Sequence, residues 1–201
     1  MKVVVVDYGL GNLRSVYNAL NYIGVAAKIS ALPEDIKEAN KVVFPGVGAF
    51  GDAMKGLKEK GLDEAIKDAI SSGKPYFGMC LGLQLLFERS EESEEAGLSV
   101  LKGNVKRFNE NKGIKVPQIG WNSVKKVKNT KLLNEIEDES FFYFVHSYYA
   151  DPLDKSVIAA TTDYGVKFTS IVEKDNITAV QFHPERSQDL GLKMLRNFFE
   201  E

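Results

Sequence analysis

The sequence contains very little cysteine and histidine. Its 201 residues include one cysteine, Cys80, and two histidines, His146 and His183. A single cysteine excludes an internal disulfide framework, and so few soft or nitrogen ligands give no reason to expect a metal centre. The sequence therefore predicts a cytoplasmic protein with no metal and no cofactor.

Long apolar segments and an excess of one charge are missing as well. The four valines of Val3–Val6 are too short for a signal-peptide core or a membrane span. The formal net charge is −2, with both signs interspersed, so we expect neither a nucleic-acid nor a membrane partner. The length fits a single domain over residues 1–201.

The first half of the chain alternates strand-like and helix-like segments. Continuous apolar runs and helical spacing predict strands at 2–7, Ala26–Ser30 and Lys41–Phe44, and helices at Leu13–Ile23, Pro33–Ala39 and Leu62–Ile70. A further strand enters Cys80. This alternation predicts an α/β fold with a mainly parallel sheet, whose ligands bind at the carboxyl ends of the strands.

The second half shows shorter segments with period-two patterning. These predict strands at Asn104–Phe108, Trp121–Val127, Phe141–Tyr149, Val157–Thr162 and Ile177–Phe182. A closing helix is expected from about Gln188 to Glu200. We interpret the strands as antiparallel additions to the same sheet.

The segment around Cys80 has the pattern of a nucleophile elbow. Gly78 and Gly82 lie two residues before and two after the cysteine, where a sharp strand-to-helix turn leaves no room for side chains. A thiol at the start of a helix is favoured as the thiolate, and the amide of Leu81 would face a developing oxyanion. The alternative is a small, inert cysteine that closes a core strand.

A cysteine nucleophile needs a base and a group that orients the base. His146 and His183 are the two candidates for the base. In an extended segment, residues two apart share a side, so Glu185 can lie beside His183. The alternative is a structural histidine at a strand end.

Gly78-x-Cys80-x-Gly82-x-Gln84 together with His183-Pro184-Glu185 resembles the class I, triad-type glutamine amidotransferases. The resemblance implies hydrolysis of glutamine, with Cys80 as nucleophile, His183 as base and acid, and Glu185 as its orienting group. It also implies a flavodoxin-like open sheet with helices on both faces.

The same resemblance assigns the remaining site residues. It makes Pro45-Gly46-Val47-Gly48 the oxyanion loop, so that Val47 and Gly48 join Leu81 there; no Gly-Lys-Ser/Thr follows to suggest a phosphate loop. It places the substrate glutamine against Gln84, Glu92, Ser147 and Tyr148.

Segments outside the triad resemble one branch, the glutaminase subunits of imidazole glycerol phosphate synthase. The resembling segments are Asp7–Asn12, Pro45–Phe50, Ile119–Asn122, Tyr143–Tyr148 and Gln181–Ser187. The resemblance implies a heterodimer with a (β/α)8 cyclase, reached through Gly11, Asn12, Trp121 and Asn122. A glutaminase that feeds another synthase, and a flavodoxin-like binding module with an inert cysteine, stay open as alternatives.

Overall fold

The computed structural model of the chain describes residues 1–110 and 113–200. The helices are α1 (Leu13–Tyr22), α2 (Pro33–Glu38), α3 (Phe50–Glu59), α4 (Leu62–Ser71), α5 (Leu81–Gln84) and α6 (Gln188–Phe199). The strands are β1 (Val3–Val6), β2 (Ala27–Ser30), β3 (Lys41–Phe44), β4 (Tyr76–Met79), β5 (Arg89–Ser90), β6 (Gly103–Arg107), β7 (Gln118–Lys126), β8 (Ser140–His146), β9 (Tyr148–Pro152), β10 (Ile158–Asp163), β11 (Lys167–Lys174) and β12 (Ile177–Val180). No helix within these ranges is long and apolar enough to cross a bilayer.

Nine of these strands form one open sheet in the order β2-β1-β3-β4-β12-β11-β10-β7-β8, and β9, β6 and β5 branch from β11 in that order. The first five are parallel, and β11 begins the antiparallel part. Helices α2, α3 and α4 cover one face and α1 and α6 the other. The buried valines of β1 serve both cores, because successive side chains of a strand point to opposite faces. The predicted α/β open sheet with antiparallel additions is confirmed.

Two details of the predicted sheet were wrong. The strand at Ile177–Phe182, expected among the antiparallel additions, is β12 and lies parallel to β4. It has this direction because β11, which the predicted set omits, runs antiparallel to it. Strand β11 shows little alternation, since its central residues are buried on both faces.

Helix α3 was also missed by the sequence analysis, because Gly51 and Gly56 weaken its helical signal.

The predicted strand Phe141–Tyr149 is in fact two strands that separate at Ser147. Strand β8 pairs with β7, whereas β9 pairs with β6 and β11. The carbonyl of Ser147 accepts from the amide of Phe108 at 3.1 Å instead of continuing the β8 pairing. This change of partner brings the backbone of Ser147 and Tyr148 to the carboxyl end of the parallel strands, beside Cys80.

The turn from β4 into α5 is closely packed at its glycines. A Cβ atom on Gly82 would lie 2.3 Å from the carbonyl oxygen of Phe44, and one on Gly78 would lie 2.7 Å from that of Gly82. Gly46 packs against the same turn, where a Cβ atom would be 2.5 Å from that of Leu81. Side chains at these positions would push β3, β4 and α5 apart.

We predict that Gly82→Ala destabilises the protein more than Gly24→Ala. At Gly82 the added methyl meets backbone, which cannot move aside, and we expect a loss of about 3 kcal/mol or more. Gly24 has open space but a φ of +84°, so its substitution should cost about 1 kcal/mol of conformational energy. Urea unfolding of both variants measures the difference. Equal losses would contradict the packing argument.

Candidate active site

Cys80 lies between β4 and α5 in a strained backbone conformation. Its φ is 51° and its ψ is −101°, a combination that non-glycine residues rarely adopt. Its amide donates to the carbonyl of Val180 at 2.7 Å, which fixes the turn against β12. Helix α5 is a single turn, so it contributes less to thiolate stabilisation than the helix expected from the sequence.

His183 and Glu185 form a buried pair beside this turn. Nδ1 of His183 lies 2.9 Å from Oε1 of Glu185, and both side chains are at most 4% exposed. The sequence predicted that His183 and Glu185 share one side of an extended segment. That prediction was wrong, because Pro184–Arg186 is a 3₁₀ turn. Among the described residues, Oε2 of Glu185 has no hydrogen-bond partner.

The charges around His183 favour its protonated form. Burial lowers the pKa of its imidazole, but the charge and hydrogen bond of Cys80, followed by those of Glu185, raise it to about 10. Because Nδ1 faces Glu185, Nε2 is the nitrogen available to the sulfur. The site therefore presents a protonated imidazole to the sulfur at neutral pH.

The surroundings of His146 differ from those of His183. The imidazole of His146 packs among Phe108, Phe144 and Phe168, at centroid distances of 5.2, 5.6 and 5.2 Å. Burial lowers its pKa to about 4. Neutral His146 donates from Nδ1 to the carbonyl of Tyr148 at 2.7 Å, so it supports the backbone beside the cavity.

A cavity of about 280 Å³ opens beside Cys80. It is lined by every residue that the sequence assigned to the oxyanion hole and to glutamine binding, namely Val47, Gly48, Leu81, Gln84, Glu92, Ser147 and Tyr148. Pro117, Val145 and His146 complete the lining. Acidic, amide and backbone groups thus surround the sulfur in a space that admits a small polar substrate.

Glu92 and Gln84 both carry structural contacts within this lining. Oε2 of Glu92 accepts from the amide of Phe50 at 2.8 Å and so caps α3. Nε2 of Gln84 donates to the carbonyl of Tyr148 at 2.9 Å and to Oε1 of Gln181 at 3.2 Å. Gln181 was not among the predicted site residues. The sequence could have indicated it, because Gln181 belongs to the same motif as His183 and directly follows a buried strand.

The oxyanion loop differs from the arrangement expected for catalysis. The amide of Leu81, expected to face the oxyanion, donates to the carbonyl of Gly46 at 3.5 Å. The N–H of Val47 belongs to the same trans peptide as this carbonyl and therefore points away from the amide of Leu81. The hydroxyl of Tyr8, which the sequence did not single out, donates to the carbonyl of Val47 at 3.0 Å.

The four residues expected at a partner interface lie outside the cavity. Gly11 and Asn12 are exposed at the start of α1, and Trp121 is 46% exposed on β7. Asn122 is half-buried, and its side chain donates to the carbonyl of Asp163 at 2.9 Å. Leu10 lies next to the oxyanion loop, since a Cβ atom added to Gly48 would be 3.3 Å from Cδ1 of Leu10.

No three His, Cys, Asp or Glu side chains of residues 1–110 and 113–200 come together as a ligand set for a metal.

Comparison with known proteins identifies the class to which this fold and site belong. The family model described as glutamine amidotransferase class-I matches residues 4–201, so the chain belongs to that class. Solved structures similar to it include one described as a glutamine amidotransferase, with a TM-score of 0.76 at 22% identity over 98% of this chain and 97% of the other. PurLQS from Thermotoga maritima has a TM-score of 0.79 at 21% identity, over 99% and 97%.

Curated relatives define the family more narrowly. The chain is 50% identical to the imidazole glycerol phosphate synthase subunit HisH of Aquifex aeolicus (strain VF5), over 98% of this chain and 96% of the relative. It is 48% identical to the protein of the same name from Chlorobaculum tepidum, over 98% and 99%. The chain belongs to the HisH family, whose members are named as subunits of that synthase.

We predict that neither histidine titrates between about pH 5 and pH 9. The pKa of His183 is about 10 and that of His146 about 4, because the first faces negative groups and the second is buried among rings. NMR of the two imidazole rings across this pH range shows whether either ring titrates. Glu185→Gln should lower the pKa of His183 and leave that of His146 in place. A wild-type imidazole that titrates near 6.5, the ordinary value, contradicts the assignment.

Proposed function

We propose that the chain hydrolyses glutamine to glutamate and ammonia through Cys80, His183 and Glu185. The observation that carries the proposal is the cavity in which the elbow thiol meets the predicted amide and carboxylate groups. Membership of the class-I glutamine amidotransferases supports the same reaction. Residues 1–201 form the glutaminase as a single domain.

The reaction proceeds through a thioester. The Cys80 thiolate attacks the carboxamide carbon of glutamine, and a tetrahedral intermediate with a charged oxygen forms. Protonated His183 gives its proton to the departing ammonia, which leaves the γ-glutamyl group on the sulfur. His183 then takes a proton from water, which attacks the thioester and releases glutamate. Glu185 keeps the imidazole oriented throughout.

The substrate's α-groups bind at the wall of this cavity, beside Gln84, Glu92, Ser147 and Tyr148. Gln84 donates from its nitrogen to Tyr148 and Gln181, so its carbonyl oxygen is available to accept from the α-ammonium group. The carboxylate of Glu92, which borders the cavity, suits the same cation. Backbone groups of Ser147 and Tyr148 bind the α-carboxylate.

The ammonia passes to a (β/α)8 cyclase in a cytoplasmic heterodimer that makes imidazole glycerol phosphate for histidine biosynthesis. The names of the relatives, which denote a subunit, support a partner. Ammonia released into water would be protonated and lost as a nucleophile, so direct transfer is chemically sensible. Gly11, Asn12, Trp121 and Asn122 contact the cyclase, and exposed Trp121 is suited to anchor it.

The free subunit rests in an inactive state that the partner reverses. Leu81 donates to Gly46, and Val47 directs its N–H away, so the oxyanion hole lacks a donor. The loop that carries Gly11 and Asn12 also carries Leu10, which lies next to Gly48. A partner bound there can favour the conformation in which the Gly46–Val47 peptide has rotated.

We expect His183→Asn to reduce glutamine turnover by at least about a thousandfold, as does removal of a triad base. Cys80→Ser should abolish it. His146→Asn should act mainly on KM or on coupling to the partner, because the two ring nitrogens of His146 contact Tyr148 and Gln118. Ammonia release by the complex is the measurement. As a control, synthesis from added ammonium salts should persist in every variant. Equal loss at both histidines would leave the base unassigned.

We expect glutamine turnover to be lowest for the free subunit, higher for the complex and highest for the complex with a cyclase ligand. One missing oxyanion donor lowers kcat by about a hundred- to a thousandfold. Ammonia release under the three conditions measures this order. A free subunit that turns over glutamine as fast as the liganded complex would contradict activation by the partner. The assignment of the triad would be unaffected.

A further inference from the structure

Gln181 lies within reach of the nucleophile and is completely buried. It follows β12 directly, and its backbone amide donates to the carbonyl of Ser170 at 2.8 Å. Its side chain is 0% exposed. Nε2 lies 3.5 Å from the sulfur of Cys80, within the range of a hydrogen bond to sulfur.

The hydrogen-bond network fixes which end of this amide faces the sulfur. The carbonyl of Tyr148 can only accept, so Gln84 must present its NH₂ group there, and the same nitrogen meets Gln181. Gln181 therefore presents its oxygen to Gln84 and its NH₂ group to Cys80. A flipped amide would place two donors together at Gln84 and an oxygen against a thiolate.

We propose that Gln181 is a catalytic residue that donates a hydrogen bond to the sulfur of Cys80 and stabilises the thiolate. The sulfur carries negative charge before it attacks the carboxamide and again when water expels it from the thioester. A donor fixed in a buried site favours both charged states, because hydrogen bonds to ions are stronger than those between neutral groups. The proposal rests on the proposed function and adds to it.

The hydrogen bonds of Gln181 also link the nucleophile to the substrate-binding cavity. Three successive contacts join the backbone of Tyr148, Gln84, Gln181 and the sulfur. His183 and Tyr8 both interact electrostatically with Cys80. Both stay in place when Gln181 is replaced, so the effect of the amide can be measured separately.

The test replaces Gln181 by Met and, separately, by Leu, which keep much of its volume and remove the donor. Ser170→Ala is the matched control, since Ser170 is equally buried on the neighbouring strand and its hydroxyl has no hydrogen-bond partner among the described residues. The first readout is the pH dependence of iodoacetamide alkylation of the free subunit. Cys80 is the only cysteine, so the reaction reports on it alone.

Both Gln181 variants should move the alkylation profile to higher pH by about one unit and lower kcat of the partner complex by about tenfold or more. KM should change less than kcat, whereas a role only through Gln84 would raise KM. Ser170→Ala should leave alkylation and kinetics unchanged. If one Gln181 variant does not fold, the other decides by the same criteria.

Wild-type alkylation profiles in the Gln181 variants, or an equal shift in Ser170→Ala, would overturn the assignment. A shifted profile in a protein that releases no ammonia from glutamine, even with its partner, would support the contact with the thiolate and refute the proposed function. The two proposals therefore fail separately.

Discussion

The parallel pairing of β4 with β12 determines the geometry of the whole site. It aligns Val180 with Met79, and the amide of Cys80 continues the pairing by donating to Val180. The nucleophile therefore leaves one strand beside the point where Gln181 and His183 leave the other. Because carboxyl ends of parallel strands meet at one edge of a sheet, residues about a hundred positions apart become neighbours.

This arrangement places charge where water is largely excluded, so each group depends on its partners. His183 keeps a raised pKa in a buried position only because the Cys80 thiolate and Glu185 lie beside it. A group protonated in this way adds stability below about pH 6.5, and that contribution is lost as the pH rises through about 10. The same burial makes the donors around the sulfur and the oxyanion more effective than they would be in water.

Much of the fold and site could be predicted from the sequence because the signals are local. A buried apolar run such as Val3–Val6 predicts a strand from its own residues, and the glycine spacing around Cys80 predicts a sharp turn in the same way. Strand β11 gave no such signal, since a strand buried on both faces lacks alternation. The break at Ser147, the hydroxyl of Tyr8 on Val47 and the amide of Gln181 on Cys80 depend on contacts between distant segments. No periodicity encodes those contacts.

The central claim is that glutamine is attacked by the sulfur of Cys80. A diazoketone analogue of glutamine, which alkylates the nucleophile that attacks it, tests this directly in the complex with its partner. Mass spectrometry of the digested protein should find one label per chain, on the peptide that carries Cys80, with glutamine hydrolysis lost in proportion. Hydrolysis that is blocked while Cys80 stays unlabelled, or that continues after Cys80 is fully labelled, would contradict the account.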